Sequence, residues 1–254
     1  MDLKLIIGVV IVVIILYLIW SYFFTSIQVI MSFQQGIEVS QSKVSGKSVA
    51  KSGKNNYSFS LWTYISDWNV NYGEQKNILA ISSATPSVGG PPYVFQLMFD
   101  STRNDLLINV DFDGGLGTVP EPTQEPTQSI CKVSNFPIQS WVNISVSVYN
   151  RAVDVYIDGK LVRTCPLMNV ASPISAQSTI YIGGSGSGDP FLGFEGYIAS
   201  VIYNPDVISP QDAWNIYARG YSNTGGFGFG NLFQRYKLQF AFLKDNSVVK
   251  SLTI

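Results

Sequence analysis

The chain has 254 residues, of which 13% are charged, and a formal net charge of −1, which is length enough for one sizeable core with appendages. A near-neutral balance excludes the broad basic surface that nucleic-acid binding requires. There is no histidine, which removes Ser-His and Cys-His nucleophilic sites, the H-E-x-x-H zinc site and every other His-ligated metal centre.

In chain order, the first element is an apolar run over residues 5–24, interrupted only by Gly8 and Ser21. About 20 such residues span a hydrocarbon core of roughly 30 Å. The run has no polar face, and Tyr17, Trp20 and Tyr22 gather near its C-terminal end like an interfacial aromatic belt. It is too long for a signal-peptide core, and no small-x-small cleavage site follows it. The expectation is a retained single-pass transmembrane helix within residues 1–25, with the lipid bilayer as its partner. Lys43, Lys47, Lys51 and Lys54 tilt the balance of positive charge toward a cytoplasmic C-terminal domain, although they begin near the limit of that rule's reach.

Residues 26–56 are rich in Ser, Gln and Lys and read as a juxtamembrane stalk with one strand near Gly36-Ile37-Glu38-Val39-Ser40. Its lysines either touch anionic head groups or are simply solvated. From Tyr57 the pattern becomes short alternating strands. Tyr57-Ser58-Phe59-Ser60-Leu61-Trp62-Thr63-Tyr64-Ile65 alternates large apolar with small polar residues, the period of a strand. Further strands are expected at residues 78–81, Tyr93–Phe99, residues 105–110 and Trp141–Tyr149. Residues 119–126 carry three prolines and form an exposed loop. A hairpin joins residues 153–157 to 161–164 across Asp158-Gly159, a pair that readily supplies positive φ. One short strap helix is expected after Ser209, with Pro210 in its first turn, Asp212 against the dipole and Gly220 at its end. The fold class is all-β, a sandwich or jelly roll, with Trp62, Trp141 and Trp214 assigned to packing. Residues 221–254 read as a C-terminal extension ending in a strand pair.

The catalytic inventory is thin. Glu121 and Glu125 lie in the proline-rich loop, Glu195 stands alone, and Asp111 with Asp113 lacks a third carboxylate; these are turn and loop residues. Trp68, Tyr72 and Tyr93, in or near loops, are the candidate sugar-stacking rings. Cys131 and Cys165 flank the central strands, and either form a disulfide or remain as two buried thiols. Asn56-Tyr57-Ser58 and Asn143-Ile144-Ser145 match the glycosylation sequon, the second within a strand.

The series Trp141-Val142-Asn143-Ile144-Ser145-Val146, Val155-Tyr156-Ile157-Asp158-Gly159-Lys160-Leu161-Val162, Ile182-Gly183-Gly184, Phe194-Glu195-Gly196-Tyr197-Ile198 and Pro210-Gln211-Asp212-Ala213-Trp214-Asn215-Ile216-Tyr217 resembles the laminin-G-like group of the concanavalin A-like lectin/glucanase superfamily over residues 57–220. The resemblance implies a concanavalin A-like jelly-roll sandwich. It carries over no catalytic residues, because the Glu-x-Asp-x-x-Glu strand of the glucanases is missing, and no enzyme activity is expected. It also implies a possible calcium at the sandwich rim, for which Asp111, Asp113 and Asp189 are the candidate ligands, set against the reading that these are polar turns. With the N-terminal anchor, the Gly-Phe repeat at residues 225–230 and the tail strands, the chain also looks like membrane-anchored members found in large DNA viruses of algae and protists. That likeness implies a minor capsid component of the virion linking an internal membrane to the capsid shell. The competing expectation is a membrane-tethered carbohydrate-binding lectin.

Overall fold

The computed structural model describes residues 12–14, 16, 28–43, 55–82, 93–112, 128–185, 191–221, 239–244 and 247–253. In chain order the strands are β1 (Gln28–Gln35), β2 (Val39–Lys43), β3 (Asn56–Asp67), β4 (Lys76–Ser82), β5 (Tyr93–Phe99), β6 (Leu106–Asp111) and β7 (Gln128–Val133). They continue with β8 (Trp141–Tyr149), β9 (Ala152–Ile157), β10 (Lys160–Pro166), β11 (Thr179–Gly183) and β12 (Glu195–Asn204), followed by helix α1 (Pro210–Arg219). A last pair is β13 (Gln239–Lys244) and β14 (Ser247–Thr253). The first twelve strands make two six-stranded antiparallel sheets, ordered β1-β12-β3-β8-β9-β10 and β2-β11-β4-β5-β6-β7. This is the all-β two-sheet sandwich that the alternating pattern predicts.

The core follows from that alternation. Tyr57, Phe59 and Leu61 of β3 and Val142, Ile144, Val146 and Val148 of β8 point inward and meet Phe95, Leu97 and Phe99 of β5 and Leu106, Ile108 and Val110 of β6. Every buried aliphatic or aromatic side chain of this kind contributes about 1.5–3 kcal/mol of hydrophobic stabilisation. The same alternation leaves Ser58 and Ser60 of β3, and Ser145 and Ser147 of β8, on the opposite face, paired across the strands as Ser58 with Ser147 and Ser60 with Ser145.

Those small residues make room for α1. The helix is opened by a capping box, Ser209 accepting from the Asp212 backbone while Asp212 accepts from that of Ser209, with Pro210 in the first turn and Gly220 at the end. Ala213 and Ile208 pack on Tyr156 of β9. Ser58 Oγ donates to the Asp206 carbonyl at 2.7 Å, and Ser147 Oγ accepts from the Ile208 amide at 3.2 Å. Gly159 in the β9–β10 turn has φ +72°, and a Cβ there would lie 2.9 Å from Trp214 Cα, so the turn and the helix fit only around glycine.

Two expectations need correcting or bounding. The stretch read as a stalk supplies two edge strands instead, β1 paired with β12 and β2 paired with β11. Its Ser- and Gln-rich composition hides a period of two, in which Gln34 is buried between exposed Phe33 and Gln35. The sandwich therefore starts at Gln28 rather than at Tyr57. The run at residues 5–24 lies outside the described residues except for 12–14 and 16, which are helical; among the described residues no helix is long and apolar enough to cross a membrane. β13 and β14 pair antiparallel in a compact unit of their own, Asn223–Ile254; the sequence places the tail's strand pair within residues 231–246, and β14 lies C-terminal to that range.

Candidate functional site

Beyond the C-terminal end of α1, the outer face of the first sheet changes character. The serines give way to Trp62 and Tyr64 on β3 and to Trp141 on β8, with Tyr64 directly opposite Trp141 and also opposite Tyr197 of β12. Phe33 of β1 completes a row across four adjacent strands. Ring centroids stand 5.4 Å apart for Phe33 and Tyr197, 6.4 Å for Tyr197 and Tyr64, and 5.7 Å for Tyr64 and Trp141. Phe33 and Tyr197 also stand 6.5 Å and 6.4 Å from Trp141, so the row is bunched around Trp141 rather than drawn out in a line.

The helix end extends it. After Gly220, which takes φ +77°, the chain turns back and Tyr221 stacks on Trp141 at 4.4 Å with an interplanar angle of 13°. Ser200 Oγ donates to the Tyr221 carbonyl at 3.2 Å and holds it there. Trp62, 6% exposed, lies beneath Tyr217, stacked at 5.7 Å, and locks the helix to the platform. The rings are rigid yet open: Phe33 is 50%, Tyr221 43% and Tyr197 38% exposed, and Tyr64 and Trp141 are half-buried. A contiguous aromatic patch on an outer sheet face is a candidate binding surface. Tyr and Trp rings offer an apolar face with a polar group at the edge, a combination that suits a ligand with a flat C–H face and a hydroxyl rim.

The rings expected from the sequence do not form such a site. Trp68 packs edge-on against Phe99 at 5.7 Å and carries the Lys76 ammonium over its ring at 4.8 Å. Tyr72 is exposed in the following turn, and Tyr93 leans on Phe191 at 5.1 Å. Lys76 pairs with Phe99 at one end of the β4–β5 ladder and Ser82 with Tyr93 at the other, so Trp68 and Tyr93 are separated by about 20 Å of strand. Trp141 and Trp214, assigned to packing from the sequence, belong to the surface, Trp214 being 44% exposed.

The other candidate residues divide likewise. Asp111 accepts from Ser172 Oγ at 2.7 Å, while Asp113 and Asp189 lie outside the described residues. Among the described residues no group of three or more acidic, Cys or His side chains is placed to hold a metal. Cys131 and Cys165 are joined by a disulfide, with 5.8 Å between their Cα atoms, tying β7 to β10. Asn143 is fully buried, donating to Ser60 Oγ and to the Leu61 carbonyl.

The comparisons agree with this architecture. Similar solved structures include the ligand-binding domain of botulinum neurotoxin serotype D in complex with N-acetylneuraminic acid, at 12% identity and TM-score 0.53 over 76% of this chain and 46% of that one. Botulinum neurotoxin type C, which depends on interaction with two ganglioside molecules to get into cells, matches at 12% identity and TM-score 0.53 over 81% and 54%. The binding domain of serotype G matches at 12% identity and TM-score 0.51 over 76% and 46%. The chain spans about half the length of these structures, and at such identity the likeness is one of fold. No curated protein matches the sequence. A family model does, over residues 38–212, a span that takes in β2 through the start of α1 and so nearly the whole sandwich: the chain belongs to the concanavalin A-like lectin/glucanases superfamily.

Proposed function

We propose that this domain is a lectin-like, membrane-tethered carbohydrate-binding module, and that the row Phe33–Tyr197–Tyr64–Trp141 with Tyr221 is its sugar platform. The observation that carries the reading is the clustering of aromatic rings from four adjacent strands on one outer face, with Tyr197, Tyr64 and Trp141 in register across three of them. A pyranose stacks its C–H face on such a surface while the tyrosine hydroxyls and neighbouring polar groups meet its hydroxyls. The superfamily, and the carbohydrate ligands of the neurotoxin domains that share the fold, support the same class of ligand. The tether is the apolar run at residues 5–24.

A glycan array tests the reading. Binding is expected for the wild-type sandwich and is expected to fall by more than tenfold, about 1.4 kcal/mol, in Trp141→Ala and in Tyr197→Ala. A second reading, the minor capsid component linking membrane to shell, is favoured by the apolar run and the sequence resemblance. An array without hits, together with protection of Trp141 and Tyr197 from chemical modification inside purified virions, would replace the lectin by that structural role.

A further inference from the structure

A second opening lies away from the aromatic row. β7 and β10 are the terminal strands of their respective sheets, and the Cys131–Cys165 bond holds them together at one edge of the sandwich. Beside that bond the sheets part, leaving a cleft of about 390 Å³ lined by Lys132, Ser134, Asn135, Phe136, Ile157 and Arg163 among others. That volume falls in the range of small-molecule sites. Of the lining residues, Lys132 adjoins Cys131 and Arg163 stands two residues before Cys165.

One wall is rigid and electrically neutral. Lys132 Nζ lies 2.6 Å from Asp105 Oδ2, and the same aspartate accepts the Asn135 amide at 3.0 Å. The Lys132 hydrogen bond holds the Asp105 carboxyl below the usual carboxylate range. The Asn104 carbonyl accepts the Phe136 amide at 2.6 Å, and Asn104 Nδ2 donates back to the Phe136 carbonyl at 3.2 Å. Phe136 itself is buried, so the open apolar floor of the cleft is made by Pro137, Ile157 and Val162.

The other wall holds the charge. Arg163 alternates with Cys165 and pairs with Val155, whose side chain is in the core, so Arg163 occupies the core-facing side of its strand. An apolar residue is the rule at such a position. Arg163 is instead exposed and has no ion-pair partner among the described residues. With Lys132 already neutralised, the cleft presents one uncompensated guanidinium above an apolar floor. A guanidinium fork matches an oxyanion in bidentate geometry.

We infer that this cleft binds a carboxylate carried on a single ring, the carboxylate on Arg163 and the ring against Pro137 and Ile157. The inference does not rest on sugar binding at the aromatic row. The test is an amide NMR titration of the disulfide-intact protein with methyl glucuronide and with benzoate, each against its neutral counterpart, methyl glucoside or benzamide. Peaks of Ser134, Asn135, Val162 and Arg163 are expected to shift with an acid and not with the neutral compounds. A shift with the glucuronide alone names a sugar acid, and a shift with benzoate an aromatic one. Arg163→Gln is expected to weaken that binding about tenfold, the loss of one charge-assisted contact, and Trp141→Ala to leave it unchanged. Silence of these peaks toward both acids, equal shifts with the neutral compounds, or undiminished binding in Arg163→Gln would overturn the assignment. So would silence accompanied by self-association of Arg163→Gln, which would make Arg163 a charge guarding an edge strand against pairing.

Discussion

At the scale of single residues, strand parity decides what each large side chain does. In β3 the inward set Tyr57, Phe59 and Leu61 forces Trp62 and Tyr64 to the outer face, and in β8 inward Val142 and Ile144 force Trp141 outward. The alternation carries that signal, yet from the sequence Trp62 and Trp141 are assigned to packing and the sugar rings are expected at Trp68, Tyr72 and Tyr93. What was not legible is which strands neighbour one another: Tyr197 and Phe33 join the row only because β12 lies beside β3 and β1 beside β12. Trp68 looked like a loop residue because it follows β3, yet it supports a buried lysine. Lys76 is fully buried; among the described residues its ammonium has the Glu74 carbonyl at 3.5 Å and the Trp68 ring at 4.8 Å. Burial lowers its pKa, opposed by the charge of Asp100. A lysine whose folded pKa lies below its unfolded value carries its full charge-burial cost below the folded pKa and sheds it as pH rises toward about 10.4. Wild-type stability is expected to climb over that alkaline window in thermal melts. Lys76→Met is expected to be more stable by about 1 kcal/mol at pH 7 and to lose that pH dependence; a less stable Met variant would show that the Trp68 contact outweighs burial.

At the scale of elements, close backbone approach matters as much as packing. Gly196 starts the outer-face segment of β12 with φ +151°, and a Cβ there would stand 1.9 Å from the Tyr64 carbonyl. Gly196→Ala is expected to destabilise by about 4 kcal/mol or more, the range of a strained and overpacked site, and to disorder the Tyr64–Tyr197 pair. Gly220→Ala is the control, since it has positive φ and no atom within 4 Å of its Cβ; it is expected to cost only about 1 kcal/mol of backbone strain. Urea midpoints compare the two, and equal losses would refute the contact argument. The strap helix was readable in full because its signals are local: Ser209 as cap, Pro210, Asp212 and Gly220 all act within one turn of an end. β1 was missed and β2 expected only at its Val39-Ser40 start, because each is an edge strand with one partner, its composition set by solvent on much of its surface.

At the scale of the whole molecule, membership of the superfamily and the two-sheet sandwich followed from strand motifs spread across the chain, whereas the disulfide stayed open in the sequence because its geometry depends on two sheets meeting. Cys131 and Cys165 lie 34 residues apart in sequence, a loop whose closure is worth about 3–4 kcal/mol in the chain-entropy account. Reductant is expected to lower the unfolding free energy from urea melts by that amount; an unchanged value would show that the two edge strands hold without the bond. The central claim concerns the aromatic row, and tryptophan fluorescence tests it most directly. A glycan hit from the array, titrated into wild-type protein and into Tyr197→Ala, reports on Trp141 at the centre of the row. The account predicts a saturable change in wild type that moves to at least tenfold higher ligand concentration in the variant. Equal titration curves for the two proteins would contradict it, since the sugar would then be bound elsewhere on the molecule.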